Sequence, residues 1–294
     1  MRLVTYQYHG VARLGAVVGN TVVDVTAALH ASGAPVAPDN MLSLLEGGDD
    51  LLAATRSALA AGNQLEHRPL DQVKLMAPVQ HPRKIICVGL NYKAHAAEGG
   101  REPPKVPMYF AKFATAIIGP GDTIRLPKVA QQVDYEAELV VVIGKRAKHV
   151  SEANAYDCVA GYMNGNDVSA RDLQRETSQF LRGKASDTFA PIGPYLVTKD
   201  EVPDPSNLSV KLWYNDVPEP MQSSNTSDFI FNIPTLIRSL TEILTLEPGD
   251  LIFTGTPEGV GLYRNPPVLL KPGDRVRVEI GNLGVLENPV GADD

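Results

Sequence analysis

Gln132 to Lys145 reads QVDYEAELVVVIGK, and the change of pattern halfway along it decides the fold class. Up to Glu138 polar and apolar residues alternate, whereas from Leu139 to Ile143 every residue is apolar. Alternation of period two marks a strand, and a continuous β-branched run marks a strand covered on both faces. The segment is therefore expected to leave a polar site and cross a buried, strand-built core. Period two also puts Asp134, Glu136 and Glu138 on one face, successive carboxylates about 7 Å apart. Such a stack repels itself, and burial makes this worse unless a cation compensates. The plain alternative is a solvated strand edge.

Turn chemistry on either side supports strands. Three Pro-Gly-Asp triplets, Pro120-Gly121-Asp122, Pro248-Gly249-Asp250 and Pro272-Gly273-Asp274, each precede an apolar run. Proline at i+1 and glycine at i+2 suit a type II turn, so each triplet should launch a strand. Helices are few. The clearest runs from Pro234 to about Leu244, with Leu236, Ile237, Leu240, Ile243 and Leu244 as its apolar face. A second is expected from about Asp167 to Phe180. Upstream, RLVTYQY, LGAVVG and TVVDV read as short strands divided by Gly10 and Gly19-Asn20. Helical spacing follows through Met41, Leu44 and Leu45, then Leu51 to Ala61 closed by Gly62, with Asp39 or Asn40 as N-cap. The chain thus reads as α+β and β-rich, with a small N-terminal α/β domain over 1–75 and a larger domain over 76–294 built as a sandwich, roll or barrel.

Composition narrows the function. The 294 residues are 44% hydrophobic and 21% charged, a globular balance, and carry a formal charge of -7 without a long basic run. Nucleic acid and anionic membranes need clustered Lys and Arg, so neither is an expected partner. No stretch of 18 apolar residues occurs, and MRLVTYQYHG has no apolar leader, which makes a cytoplasmic location the default. Cys87 and Cys158 lie in apolar runs and are expected to be buried, reduced thiols.

One further acid, Asp167 in GYMNGNDVSARD, can complete a three-carboxylate site with Glu136 and Glu138. Oxygen donors suit a hard divalent ion, Mg2+ with Mn2+ or Ca2+ as alternatives, and no His or Cys lies at zinc spacing. Asp167, Arg171 and Gln174, spaced by four and three, would share one face of a helix starting near Val168. Its N-terminus would favour a carboxylate or developing enolate, with Arg171 as bidentate holder and Gln174 as amide donor. A surface salt bridge is the alternative. Lys184 is not part of a phosphate loop and can stabilise charge on an oxygen, or be solvated. His95 and Glu98 are one helical turn apart in NYKAHAAEGGREPP, where the carboxylate can orient the imidazole and raise its basicity. Gly99, Gly100, Pro103 and Pro104 then suggest a lid; a helix-surface pair is the plainer reading. Thr254, Gly255 and Thr256 can offer donors to a carboxylate or form a simple turn. Met108, Tyr109 and Phe110 can shape a pocket or pack in the core. The other histidines are expected at the surface.

Taken in order, VGLNYKAHAAE, PMYFAKFATAIIGPGD, VDYEAELVVVIGK, NDVSARDLQ, GKASDTFAPIGP, SSNTSDFIF and TGTPEGVGLYRNPPVLLKPGD resemble the fumarylacetoacetate hydrolase superfamily from about Lys84 to Val290. The resemblance implies a mixed β-sandwich roll around a metal, normally magnesium, assembled as a homodimer. By it Glu136, Glu138 and Asp167 match the metal ligands and His95 and Glu98 the catalytic dyad. Arg171, Gln174, Lys184 and Thr256 match positions that hold substrate or stabilise charge. The expected reaction is hydrolysis of a carbon-carbon bond in a small diketo acid such as an acylpyruvate. The alternative on the same site is tautomerisation or decarboxylation of oxaloacetate.

Overall fold

The strand Ala137–Ile143 lies well inside a twelve-stranded sheet, paired with Val159–Asn166 on one side and Leu251–Phe253 on the other. The computed structural model describes residues 1–62 and 65–293. Among these, the sheet's main path starts at His67–Pro69 and passes through Thr21–Asp24, Val11–Val18 and Arg2–Tyr8 to Ala190–Thr198. It continues through Val159–Asn166, Ala137–Ile143 and Leu251–Phe253 to Ile85–Gly89 and the edge strand Met108–Lys112. A second sheet has five strands in the order Gln222–Asn225, Ser209–Tyr214, Arg275–Ile280, Val285–Ala292, Ile124–Leu126.

The apolar run is covered on both faces, as its composition required. Leu139, Val141 and Ile143 pack in one core with Val210, Leu212, Val276, Val278 and Ile280 of the second sheet. Val140 and Val142 point the other way, into a core with Met163, Ile192, Leu251 and Phe253 and the helical Leu29, Leu44 and Leu45. Each such side chain contributes about 1.5–3 kcal/mol of burial. The class is α+β, a strand-rich sandwich.

Each Pro-Gly-Asp triplet forms its turn. Gly121, Gly249 and Gly273 have φ of 76, 83 and 96°, the left-handed region that i+2 of a type II turn demands. The amides of Asp122, Asp250 and Asp274 donate to the carbonyls of Gly119, Glu247 and Lys271, and their carboxylates accept back from the amides of those residues. Strands Ile124–Leu126, Leu251–Phe253 and Arg275–Ile280 follow.

The late helix is Ile233–Ile243, capped by Asn232, with Pro234 in its first turn as expected. Leu236, Ile237 and Leu240 are buried, but Ile243 is 74% exposed, while Thr241 of the same turn is buried. At the N-terminus, Asn40 rather than Asp39 caps the helix Met41–Glu46, accepting from the Ser43 amide. The boundary expected near residue 75 falls inside the strand Lys74–Met76, which pairs with Arg2–Tyr8. That N-terminal strand also pairs with Ala190–Thr198, through Arg2↔Val197 and Leu3↔Leu196.

Candidate metal centre and active site

Glu136 and Glu138 stand at the start of the central strand, and Asp167 follows the end of its neighbour. The register Ala137↔Asn166 brings these strand ends together, and the Asp167 amide donates to the Glu136 carbonyl at 2.9 Å. Asn166 accepts from the Glu136 amide through Oδ1. The three side chains are buried, with oxygens all within 4.8 Å of one another. Asp134 does not join them, because the strand is interrupted at Tyr135 and Glu136. Its carboxylate turns to Arg171 and accepts from the amides of Tyr135, Gly261 and Leu262.

The helix expected from Asp167 to Phe180 is not formed. Asp167 lies in the irregular link before the strand Ser169–Ala170, and Arg171–Gln174 makes one helical turn. The cause is non-local: Val133–Asp134 pairs with Ser169–Ala170, and the Arg171 amide is claimed by the Gln132 carbonyl. Arg171 and Gln174 still meet, with Nη1 3.3 Å from Oε1, but the long helix whose N-terminus was expected beside the acids is replaced by this single turn. A separate turn, Leu181–Lys184, delivers Lys184. Gly183 is required there, since a Cβ would come 2.5 Å from the Gln174 Cβ and 2.6 Å from the Ala170 carbonyl oxygen.

Cations compensate the acids unevenly. Arg171 binds Glu136 Oε1 at 2.7 Å, and Lys184 Nζ lies 2.7 Å from both Glu136 Oε2 and Asp167 Oδ2. Lys112, which the sequence reading did not single out, is 3% exposed, with its Nζ 2.7 Å from Asp167 Oδ1. It also donates to the carbonyls of Val168, Lys184 and Phe189. Burial raises the Glu136 carboxyl, but Arg171 and Lys184 outweigh it and hold the group well below the usual range. Among the described residues Glu138 has no ion pair and accepts only the Gly255 amide, at 2.8 Å. Burial, then the charges of Asp167 and Glu136, push it well above the usual range. Burial alone would lower Lys184, but Asp167 and Glu136 raise it.

Without an ion, therefore, Glu138 is stabilised in its protonated form. That contribution is present at low pH and fades as pH rises through the raised folded value. Ion binding must expel the proton, so affinity for Mn2+ is expected to rise with pH and to release one proton. Titration calorimetry in two buffers of different ionisation enthalpy measures this; a heat independent of buffer would refute it.

Across a cavity of about 260 Å³ from the acids stands His95, on the helix Lys93–Glu98. Its Nδ1 is 3.2 Å from Glu98 Oε2, while Glu98 Oε1 accepts the Gly259 amide. Gln174, Lys184 and Thr256 also line the cavity. Thr256 Oγ1 accepts from Gln222 Nε2, whose side chain also receives the Ala137 amide, so Gln222 ties the threonine to the central strand. Phe110 lines the cavity, its ring centroid 5.0 Å from Lys184 Nζ, whereas Tyr109 packs in the core. Thr254 serves structure: its hydroxyl bonds the Leu139 carbonyl. His9, His30, His67, His81 and His149 are exposed, and Cys87 and Cys158 are free and buried.

Comparison with known proteins gives consistent results. The fumarylacetoacetate (FAA) hydrolase C-terminal family matches residues 84–291. The chain is 47% identical over 296 residues to the mitochondrial oxaloacetate tautomerase FAHD2A of Bos taurus, covering 99% of this chain and 91% of that one. The Homo sapiens protein of that name is 48% identical over 87% of this chain and 81% of its own. Among solved structures, maleylpyruvate hydrolase from Sphingobium sp. SYK-6, in complex with manganese (II) ion and pyruvate, aligns over 100% of both chains at TM-score 0.81 and 36% identity. The expected cytoplasmic location is overturned by the bovine and human relatives, which are mitochondrial by name. An apolar leader marks secretion, whereas mitochondrial transit segments are amphipathic and Arg-rich, so its absence was no guide.

Proposed function

The chain belongs to the fumarylacetoacetate hydrolase family, and we propose that it interconverts the keto and enol forms of oxaloacetate with a divalent ion held by Glu136, Glu138 and Asp167. The observation that carries this is the likeness to oxaloacetate tautomerases at 47% identity over 99% of the chain. It favours enolisation over the carbon-carbon hydrolysis expected first. Both reactions use an oxygen-polarising centre and a base, but hydrolysis additionally needs a water aimed at a second carbonyl.

The donor set is all oxygen, which suits Mg2+ or Mn2+ rather than zinc. When bound, such an ion supplies Lewis-acid polarisation of the oxygens of a 2-oxo acid. His95, with Nδ1 facing Glu98, has Nε2 left to take a proton from the carbon beside the ketone. Lys184 has two of its three N–H bonds on carboxylates and one for the enolate oxygen. Thr256 and Gln174 add hydroxyl and amide donors at the wall. The proton taken from carbon is returned to oxygen, so the atoms balance without water.

His95→Asn is expected to lower oxaloacetate enolisation by about a hundredfold or more while leaving ion binding intact. Purified protein would be given oxaloacetate and acetylpyruvate, with and without chelator, and enol absorbance and pyruvate followed. Chelator-sensitive enol exchange without pyruvate supports the tautomerase. Pyruvate from acetylpyruvate would restore the hydrolase, and pyruvate with carbon dioxide from oxaloacetate would indicate a decarboxylase.

A further inference from the structure

The cationic side chains around the cavity divide into two sets. Arg171 and Lys184, with Lys112 behind them, are committed to Asp134, Glu136 and Asp167. Arg101 and Arg175 line the same cavity and are exposed, and among the described residues their side chains make no hydrogen bond or ion pair. We infer that Arg101 and Arg175 receive the substrate's second carboxylate and so set a preference for dicarboxylic over monocarboxylic oxo-acids. The identity of the substrate rests on the tautomerase reading; the location of the spare charge does not.

Charge balance leads to this assignment. Asp134, Glu136, Glu138 and Asp167 face Arg171, Lys184 and Lys112, so with a divalent ion bound the interior has one positive charge to spare. That accommodates one substrate carboxylate. A second, entering the cavity, meets desolvation with no partner unless the rim supplies one. Two guanidinium forks there match the planar, bidentate geometry of a carboxylate.

Both backbones are held in place relative to the chemistry. The His95 helix ends in a Schellman motif: Gly100 has φ of 64°, its amide donates to Ala97, and the Arg101 amide donates to Ala96. Arg101 is thereby fixed in register with His95. Arg175 caps the single turn that carries Arg171 and Gln174, its amide donating to the Asp172 carbonyl. One arginine thus follows the helix that carries His95 and the other the turn that carries Arg171 and Gln174, so a carboxylate held by both would join the two.

The test uses full-length, Mn2+-loaded protein and two unreactive 2-hydroxy acids, L-malate and lactate, which differ in the second carboxylate. In calorimetric titration the wild type is expected to bind malate about tenfold or more tighter than lactate. Arg101→Gln and Arg175→Gln should erode that preference and together abolish it, with lactate affinity and melting temperature unchanged. In turnover, the KM for oxaloacetate should rise with little change in kcat, the mark of lost uniform binding. A malate preference that survives the double substitution, or is absent from the wild type, overturns the assignment. Failure of the wild type to enolise oxaloacetate would remove the tautomerase reading while leaving the malate result to decide on the arginines.

Discussion

The Glu136→Ala, Glu138→Ala double variant is expected to lose divalent-ion binding and about a thousandfold or more of kcat/KM on oxaloacetate, about 4 kcal/mol of transition-state stabilisation. The fold should survive it. Lys184 keeps Asp167 and Arg171 keeps Asp134, so no cation is stranded, and removing Glu138 deletes a carboxyl that burial already opposes. What remains is one candidate ligand, Asp167, beside two lysines, a surrounding that repels a cation. Metal content after dialysis against Mn2+, together with the enolisation rate, measures the effect. A double variant that retains both the ion and its turnover would remove the proposed centre.

Lys112→Met is expected to be the most destabilising single change at the site, about 3–5 kcal/mol, since breaking a buried pair leaves its partner uncompensated. The ammonium binds Asp167 and also ties together Val168, the Lys184 turn and Phe189 through their carbonyls. Methionine fills the space but leaves those acceptors unsatisfied. Urea unfolding in the presence of chelator should show a lower midpoint at unchanged slope. A midpoint equal to that of the wild type would mean that Lys112 is not the tie its contacts describe.

These two variants mark what could be read from the chain and what could not. The carboxylate trio was legible because Glu-x-Glu at the mouth of an apolar run is a local pattern, and turns such as Pro248-Gly249-Asp250 were legible because φ preference is local. The surroundings of Asp167 were not. Spacing of four and three is genuinely helical, but the backbone there is taken by Val133–Asp134, more than thirty residues away in sequence, and a long-range ladder overrides local propensity. Asp134 was misplaced for a related reason, since period two holds only while the strand is unbroken. Lys112 left one faint signal, a cation ending the otherwise apolar run MYFA. Arg101 and Arg175 left none, because an unpaired arginine at a rim is distinguished only by what its neighbours lack. For the reaction, the roles proposed for Glu136, His95 and Lys184 would suit hydrolysis and enolisation alike, and the relatives, rather than these residues, favour the second.

The pairing of Arg2–Tyr8 with Ala190–Thr198 on one side and Val11–Val18 on the other makes the first residues of the chain an interior thread of the sheet that carries the site. Trimming them away would not release a smaller enzyme. It would bare the N–H and C=O groups that Leu196 and Val197 now share with Leu3 and Arg2, a template on which further strands can add. A shortened form would then meet other copies of itself before it met substrate, and its silence in an assay would report aggregation rather than chemistry.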